Sequence, residues 1–349
     1  MIDQTAILNV LKSVKYPGYS RDIVSFGIVK EVQVDGTAAG VLIELTTPNA
    51  AVGEQIAEAA RLALRDQIPG LTDAHVQVRV PQGPAPVLGA PGGGVPRAKV
   101  TGIHRLIAVA SGKGGVGKST CAVNLACALR HLGARVGLMD ADIYGPSVPL
   151  MMGVQERPTV NDAEQLVPPT AHGVKLMSIG FLIPDDQPVI WRGPMIQKTI
   201  QQFIHQVDWG GLDYLLVDLP PGTGDAQLSL CQTVPLDGGV IVTTPQAASV
   251  GVVRKGIAML EKVQVPILGI IENMSGFSAP DGSRIEIFGR GGGRTEAERK
   301  GVPFLGEIPL ESRIREGGDR GIPVVVSDPN GAAGEAFLGI ARNLRARLG

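Results

Sequence analysis

The apolar positions of this chain follow two different rhythms. From about Val100 onward, short and nearly continuous apolar runs recur at Leu106–Ala110, Arg135–Met139, Gly173–Ile179, Tyr214–Val217, Gly239–Thr243 and Pro266–Ile271. Between several of them lie segments of helical period, such as Cys121–His131, Gln197–His205 and Val250–Lys262. Strands that read as unbroken apolar runs are buried on both faces, so the pattern predicts an α/β domain with a mostly parallel sheet covered by helices on both faces. Residues 1–80 read differently. Ile7, Leu8, Leu11 and Val14 have helical spacing, as do Ile56, Ala59, Ala60, Leu62 and Ala63. Ile28–Val34, Gly40–Thr46 and Val76–Val80 alternate as half-buried strands. That order predicts a small α+β domain. Residues 81–99 are rich in proline and glycine and predict a linker to the large domain, residues 100–349. Glu335–Leu348 is amphipathic, which fits a closing helix docked on the sheet or, as the alternative, a helix lying on a membrane surface.

Composition narrows the partners. The chain has 349 residues, 44% hydrophobic and 19% charged, with a formal net charge of −1. A charge so close to zero supplies no general field for nucleic acid or an anionic membrane, so neither is expected as a partner. No basic stretch followed by an apolar core opens the chain, and no apolar run reaches the ~18 residues of a membrane span. Three cysteines give no disulfide framework and fit a reducing, cytoplasmic setting. The five histidines are scattered without ligand spacing and predict no metal site.

The candidate chemistry is concentrated in Ser111-Gly112-Lys113-Gly114-Gly115-Val116-Gly117-Lys118-Ser119-Thr120. It satisfies G-x-x-x-x-G-K-[ST] and lies between a strand pattern and a helix pattern, the context in which that motif cradles phosphate. Backbone N–H groups from Gly112 to Thr120 converge on the β-phosphate, Lys118 neutralises the β- and γ-phosphates, and the Ser119 hydroxyl ligates Mg²⁺. Leu215-Leu216-Val217-Asp218 is an apolar strand ending in a carboxylate, so Asp218 is the second candidate for holding Mg²⁺. The loop Leu219-Pro220-Pro221-Gly222-Thr223-Gly224 behind it is stiff and then flexible. Asp140 and Asp142 end another strand; either can touch the metal or orient water, or cap the next helix instead.

Together these stretches resemble known proteins. Gly-Lys-Gly-Gly-Val-Gly-Lys-Ser looks like the deviant Walker A family of ParA, MinD and the nitrogenase iron protein. There, a lysine placed like Lys113 reaches the phosphates of a partner subunit, and the acid matching Asp142 positions the attacking water. Asp140–Ser147, Trp191–Met195, Asp218–Asp225, Glu272–Ser275, Ile287–Gly289, Leu305–Leu310 and Gly321–Val324 occur in the order seen in Mrp/ApbC-type iron–sulfur cluster carrier ATPases. Residues 1–80, around Leu45-Thr46-Thr47-Pro48, resemble the MIP18-type domain of iron–sulfur assembly factors, although Asn49-Ala50-Ala51 stands where members often carry a cysteine shortly after that proline.

The resemblance implies a nucleotide-gated homodimeric ATPase that uses ATP and Mg²⁺, carries a [4Fe–4S] cluster and works with assembly or recipient proteins. It also implies that Asn273 contacts the adenine base. One departure is plain. Family members usually carry Cys-x-x-Cys shortly after Asn-Met-Ser, whereas Gly276–Ile285 contains no cysteine. Cys121, Cys127 and Cys231 read as small buried apolar residues. The expected function is an ATP-hydrolysing cluster carrier or assembly factor without the usual ligands; the alternative is a ParA/MinD-like positioning switch.

Overall fold

A computed structural model describes residues 3–17, 22–45, 50–79, 100–143, 145–182, 193–279 and 283–348. The predicted linker 81–99, Thr46-Thr47-Pro48 and the Trp191-Arg192 stretch lie outside the described residues. The chain divides into two compact units, residues 1–95 and 96–349.

The first unit runs α1 (Gln4–Leu11), β1 (Val29–Asp35), β2 (Ala38–Glu44), α2 (Ala50–Gln67) and β3 (Asp73–Arg79). β2 is central, antiparallel to β1 and parallel to β3. Its alternation of buried and half-buried positions is what a strand with one covered face requires. Ile7, Leu11, Ile43, Ile56 and Leu64 close the core, each fully buried. Burying an aliphatic side chain of that size contributes roughly 1.5–3 kcal/mol. Asp3 caps α1 by accepting from Ala6 N at 2.7 Å.

The second unit begins with β4 (Ile103–Ser111), α3 (Lys118–His131), β5 (Val136–Asp140) and the short α4 (Val148–Met151). Three two-residue strands follow, β6 (Thr159–Val160), β7 (Leu166–Val167) and β8 (Thr170–Ala171), then β9 (Val174–Ser178) and α5 (Gly193–His205). Next come β10 (Leu212–Asp218), α6 (Asp225–Thr233), β11 (Gly238–Thr243), α7 (Ala247–Lys262) and β12 (Ile267–Glu272). A small hairpin, β13 (Phe277–Ser278) with β14 (Arg284–Ile285), leads to α8 (Gly292–Lys300) and β15 (Phe304–Glu307). Helices α9 (Ser312–Arg320), α10 (Val324–Ser327) and α11 (Ala332–Leu348) complete the unit.

The eight-stranded sheet has the order β15-β12-β11-β4-β10-β5-β9-β8, and only β8 runs antiparallel to its neighbour. Each apolar run of the sequence falls on one of its strands: β4, β10 and β11 extend beyond their runs, β5 and β12 are shifted by one residue, and β9 is a residue shorter at each end. Only β15 and the short β8 come from stretches with too little apolar repetition to be read. β10 enters the sheet between β4 and β5, which precede it in the chain. This crossover brings the carboxyl ends of β4, β5 and β10 side by side, where open α/β sheets bind ligands. Its register sets Asp218 opposite Val109 on one side and Asp140 on the other. Helix α11 is docked, with Phe337, Ile340, Ala341 and Leu344 buried, as a closing helix requires. No helix among the described residues is long and apolar enough to cross a membrane.

Candidate functional site

The phosphate loop leaves β4 at Ser111 and enters α3 at Lys118. Its glycines are required by space and by backbone conformation. A Cβ on Gly112 would press within 2.5 Å of the Val252 carbonyl oxygen on α7. Gly117 has φ +78°, and a Cβ there would collide with the Asn273 amide. Two hydrogen bonds hold the curve. Ser111 Oγ donates to Lys113 O at 3.0 Å, and Asn273 Nδ2 donates to Val116 O at 2.9 Å. Gly117 is the N-cap of α3 and offers no side-chain cap, so the first N–H groups of the helix are left for an anion. Lys113 is half-buried in this loop, and its ammonium has no ion-pair partner among the described residues.

Lys118 and Asp218 form a buried pair, Nζ to Oδ1 at 2.5 Å, with exposures of 5% and 0%. Lys118 Nζ also lies 3.3 Å from Ser119 Oγ. The second oxygen of Asp218, Oδ2, is buried and has no hydrogen-bond partner. Burial raises the Asp218 pKa, and the Lys118 charge opposes that rise. A buried carboxylate oxygen without a partner, next to a hydroxyl and a lysine, fits a hydrated divalent cation. Ser119 and Asp218 are therefore the residues that would hold Mg²⁺, which when bound offsets phosphate charge.

Asp140 and Asp142 are held differently. β5 ends at Asp140, and Asp142 is placed by the loop beyond it rather than by the strand. Asp140 is 1% exposed and accepts from Asp142 N at 3.1 Å, Ser178 Oγ at 3.0 Å and Val148 N at 3.2 Å. It organises the loop and the first turn of α4. Burial, and then the charge of Asp218 on the neighbouring strand, pushes its pKa up to about 7. Asp142, in the loop beyond, is 9% exposed. Ser178 carried no signal in the sequence, because only the β5–β9 register, Asp140 opposite Ser178, brings it there.

Asn273 follows β12 and lines a pocket of about 280 Å³ that also includes Gly117 and Thr120. Apolar walls come from Met151 of α4, Met274, Leu310 and Ile314 of α9. Met274 stands in the left-handed region at φ +58°, a conformation unusual for a side-chain-bearing residue. The arrangement is a largely apolar pocket abutting the phosphate loop, with Glu311, Arg315 and Asp319 also at its edge. The resemblance points to Asn273, and nothing in the sequence points to these walls.

The hairpin β13–β14 stands where the resemblance would place cluster-binding cysteines. Ala279 N donates to Ser283 O at 2.8 Å, and residues 280–282 lie outside the described residues. Arg284 anchors its base through Ser275 O at 3.3 Å and the Glu307 carboxylate at 3.7 Å. Cys121, Cys127 and Cys231 are all buried in the core instead, and none is in a disulfide. Burial raises the Cys121 thiol strongly and pushes Cys127 up to about 12, so neither is a thiolate near neutral pH. Among the described residues no group of three or more His, Cys, Asp or Glu side chains could hold a metal ion. These residues do not fit a thiolate-bound cluster.

Comparison with known proteins agrees with this geometry. The family model described as NUBPL iron-transfer P-loop NTPase matches residues 102–345, and one described as iron-sulfur cluster assembly protein matches residues 4–78. The iron-sulfur cluster carrier protein of Synechocystis sp. is 44% identical over 360 aligned positions, covering 100% of this chain and 98% of its own. Among solved structures, a nucleotide-binding protein from Archaeoglobus fulgidus in complex with ADP is 41% identical, with a TM-score of 0.59. It covers 67% of this chain and 92% of its own. The cell division ATPase MinD of Pyrococcus furiosus shares the fold at 24% identity and a TM-score of 0.55, over 70% of this chain and 99% of its own.

Proposed function

We propose a function that proceeds from kinship: the chain belongs to the NUBPL iron-transfer P-loop NTPase family and carries an iron–sulfur cluster assembly domain ahead of it. It is an ATPase of the iron–sulfur cluster carrier type. The observation that carries the nucleotide reading is the convergence of Lys118, Ser119 and Asp218 beside an apolar pocket floored by Gly117 and Asn273. ATP lies with its phosphates on Gly112–Thr120 and its base in that pocket. Asn273 supports the loop and borders the base. Ser119 and Asp218 would hold Mg²⁺, which would supply positive charge against the phosphates. The residues themselves hold the phosphate chain, exclude water from the buried Lys118–Asp218 side and aim one water molecule from Asp142. Residues 1–80 and 100–349 act as separate domains on the linker 81–99.

The finer proposal is that the active form is a homodimer closed by ATP, in which Lys113 reaches the partner's phosphates. Its ammonium has no ion-pair partner among the described residues, although it sits in the phosphate loop. Lys113→Ala should therefore retain nucleotide affinity within a few-fold while losing ATP-driven dimerisation and turnover. Light scattering and a phosphate-release assay check this, and ATP-driven dimers of normal activity would rule it out. Asp142→Asn should keep ATP bound and slow hydrolysis by about 100-fold, the scale of a lost general base or water-orienting group. A hydrolysis rate equal to wild type would move that role to another residue.

The second reading, a nucleotide switch that recruits assembly or recipient proteins without holding a cluster itself, is favoured by one observation. The hairpin β13–β14 has no thiol among Phe277–Ile285, and the three cysteines are buried.

A further inference from the structure

Gln227 lies in the first turn of α6 and is 1% exposed, yet neither its amide nitrogen nor its carbonyl oxygen has a hydrogen-bond partner. Among the described residues it is the one side-chain amide orphaned at both atoms. Burying an amide with nothing to bond is unfavourable, and such groups in native proteins call for an explanation. The nucleotide chemistry described above makes no use of it.

Its setting supplies one. Helix α6 follows directly on the loop 219–224 that leaves Asp218, the candidate Mg²⁺ carboxylate. That loop runs along the phosphate loop: Leu219 N donates to Val109 O and Gly222 N to Ser111 O, both at 3.1 Å. A Cβ on Gly114 would meet Pro221 at 3.9 Å. Gly222 has φ +97°, and Gly224 starts α6 in extended backbone with no side-chain cap. The carbonyls of Pro220 and Pro221 and the N–H of Thr223 make no hydrogen bond among the described residues. The far half of α6 is fixed instead. Gln197 of α5 bonds Ser229, and Gln201 Nε2 donates to Thr233 O at 2.9 Å. Side chains in a helix lean back over the preceding turn, which sets Gln227 toward the loop. One end of the helix is anchored, and the other carries an unsatisfied donor and acceptor beside a loop with unsatisfied backbone.

We propose that Gln227 is a positioning residue for ATP hydrolysis: when Mg²⁺ and ATP occupy the phosphate loop, the 219–224 backbone shifts and bonds both halves of the Gln227 amide, fixing the loop beside the γ-phosphate. The proposal rests on the nucleotide reading above. It makes an unusual demand on a substitution. Gln227→Leu removes an orphaned polar group, so the thermal midpoint without nucleotide should stay the same or rise. The further rise produced by Mg²⁺ with a non-hydrolysable ATP analogue should shrink, and kcat should fall about 10- to 100-fold with KM nearly unchanged, the scale of a misplaced reacting group. Gln227→His, which keeps a donor and an acceptor, should recover much of kcat. A lower midpoint with intact kcat, or a kcat loss that histidine does not relieve, would make Gln227 structural and overturn the proposal. Should the leucine variant fail to fold, wild-type hydrogen exchange decides. The amides of residues 222–228 must exchange more slowly with Mg²⁺ and the analogue. Unchanged exchange when calorimetry proves the analogue bound refutes the positioning role. Absence of binding defeats the nucleotide reading, and the proposal with it.

Discussion

Lys118→Ala is expected to remove ATP binding from calorimetric detection and at the same time to destabilise the folded protein. Both effects come from one ammonium. Charge-assisted hydrogen bonds to phosphate are worth roughly 1.5–3 kcal/mol each, so losing the lysine that serves two phosphates weakens affinity by about 100-fold or more. In the fold, the same ammonium is 2.5 Å from Asp218 Oδ1, and both groups are buried. Removing one member of a buried pair leaves the other charge uncompensated, a loss of about 3–5 kcal/mol. Protonation of Asp218 relieves part of it, since burial already raises that pKa. The two effects separate in the double variant Lys118→Ala/Asp218→Asn, which should regain much of the thermal midpoint and none of the binding. If single and double variants unfold at the same temperature, the pair does not stabilise the fold. ATP affinity in Lys118→Ala equal to wild type would remove the phosphate loop from the nucleotide reading.

The parts of this site that are legible in the sequence are those whose chemistry is local. Gly112–Thr120 is one continuous turn, so its spacing alone states its purpose. Asp218 is marked by ending an apolar strand. The difference in how Asp140 and Asp142 are held is not local. It depends on Ser178 and Val148, which the β5–β9 register and the start of α4 bring to the Asp140 carboxylate. The base pocket is harder still to foresee. Its walls come from the four-residue α4 and from α9, whose sequence Ser-Arg-Ile-Arg-Glu-Gly-Gly-Asp-Arg shows little apolar repetition. The resemblance implies that Asn273 meets the base, and its hydrogen bond in the structure is to the phosphate loop backbone at Val116. Gln227 gives no sequence signal at all, because what sets it apart is the lack of partners in three dimensions.

The cluster is where kinship and chemistry pull apart, and the expected result there is a near absence. Anaerobic reconstitution of the isolated protein should leave iron and sulfide far below stoichiometric after desalting, with no lasting charge-transfer band. Iron–sulfur clusters are held by thiolates, and a thiolate must be both deprotonated and reachable. Cys121, Cys127 and Cys231 are buried. Burial holds the proton on sulfur at Cys127, and at Cys121 burial and then the Asp218 charge do so. Both are buried residues of α3, the helix that follows the phosphate loop, so exposing them would disrupt the packing of that helix. The hairpin offers Ser278 and other oxygen donors, which are poor substitutes for soft sulfur. The double substitution Ala279→Cys/Gly282→Cys (the second position lies outside the described residues) restores the family's Cys-x-x-Cys spacing and should raise cluster occupancy without altering ATP affinity. A gain in that variant over an empty wild type would identify the hairpin as the place where cluster binding has been given up. A stable wild-type cluster that disappears in Cys231→Ser would instead show that a core thiol becomes available on assembly, and the cluster-free switch reading would fall.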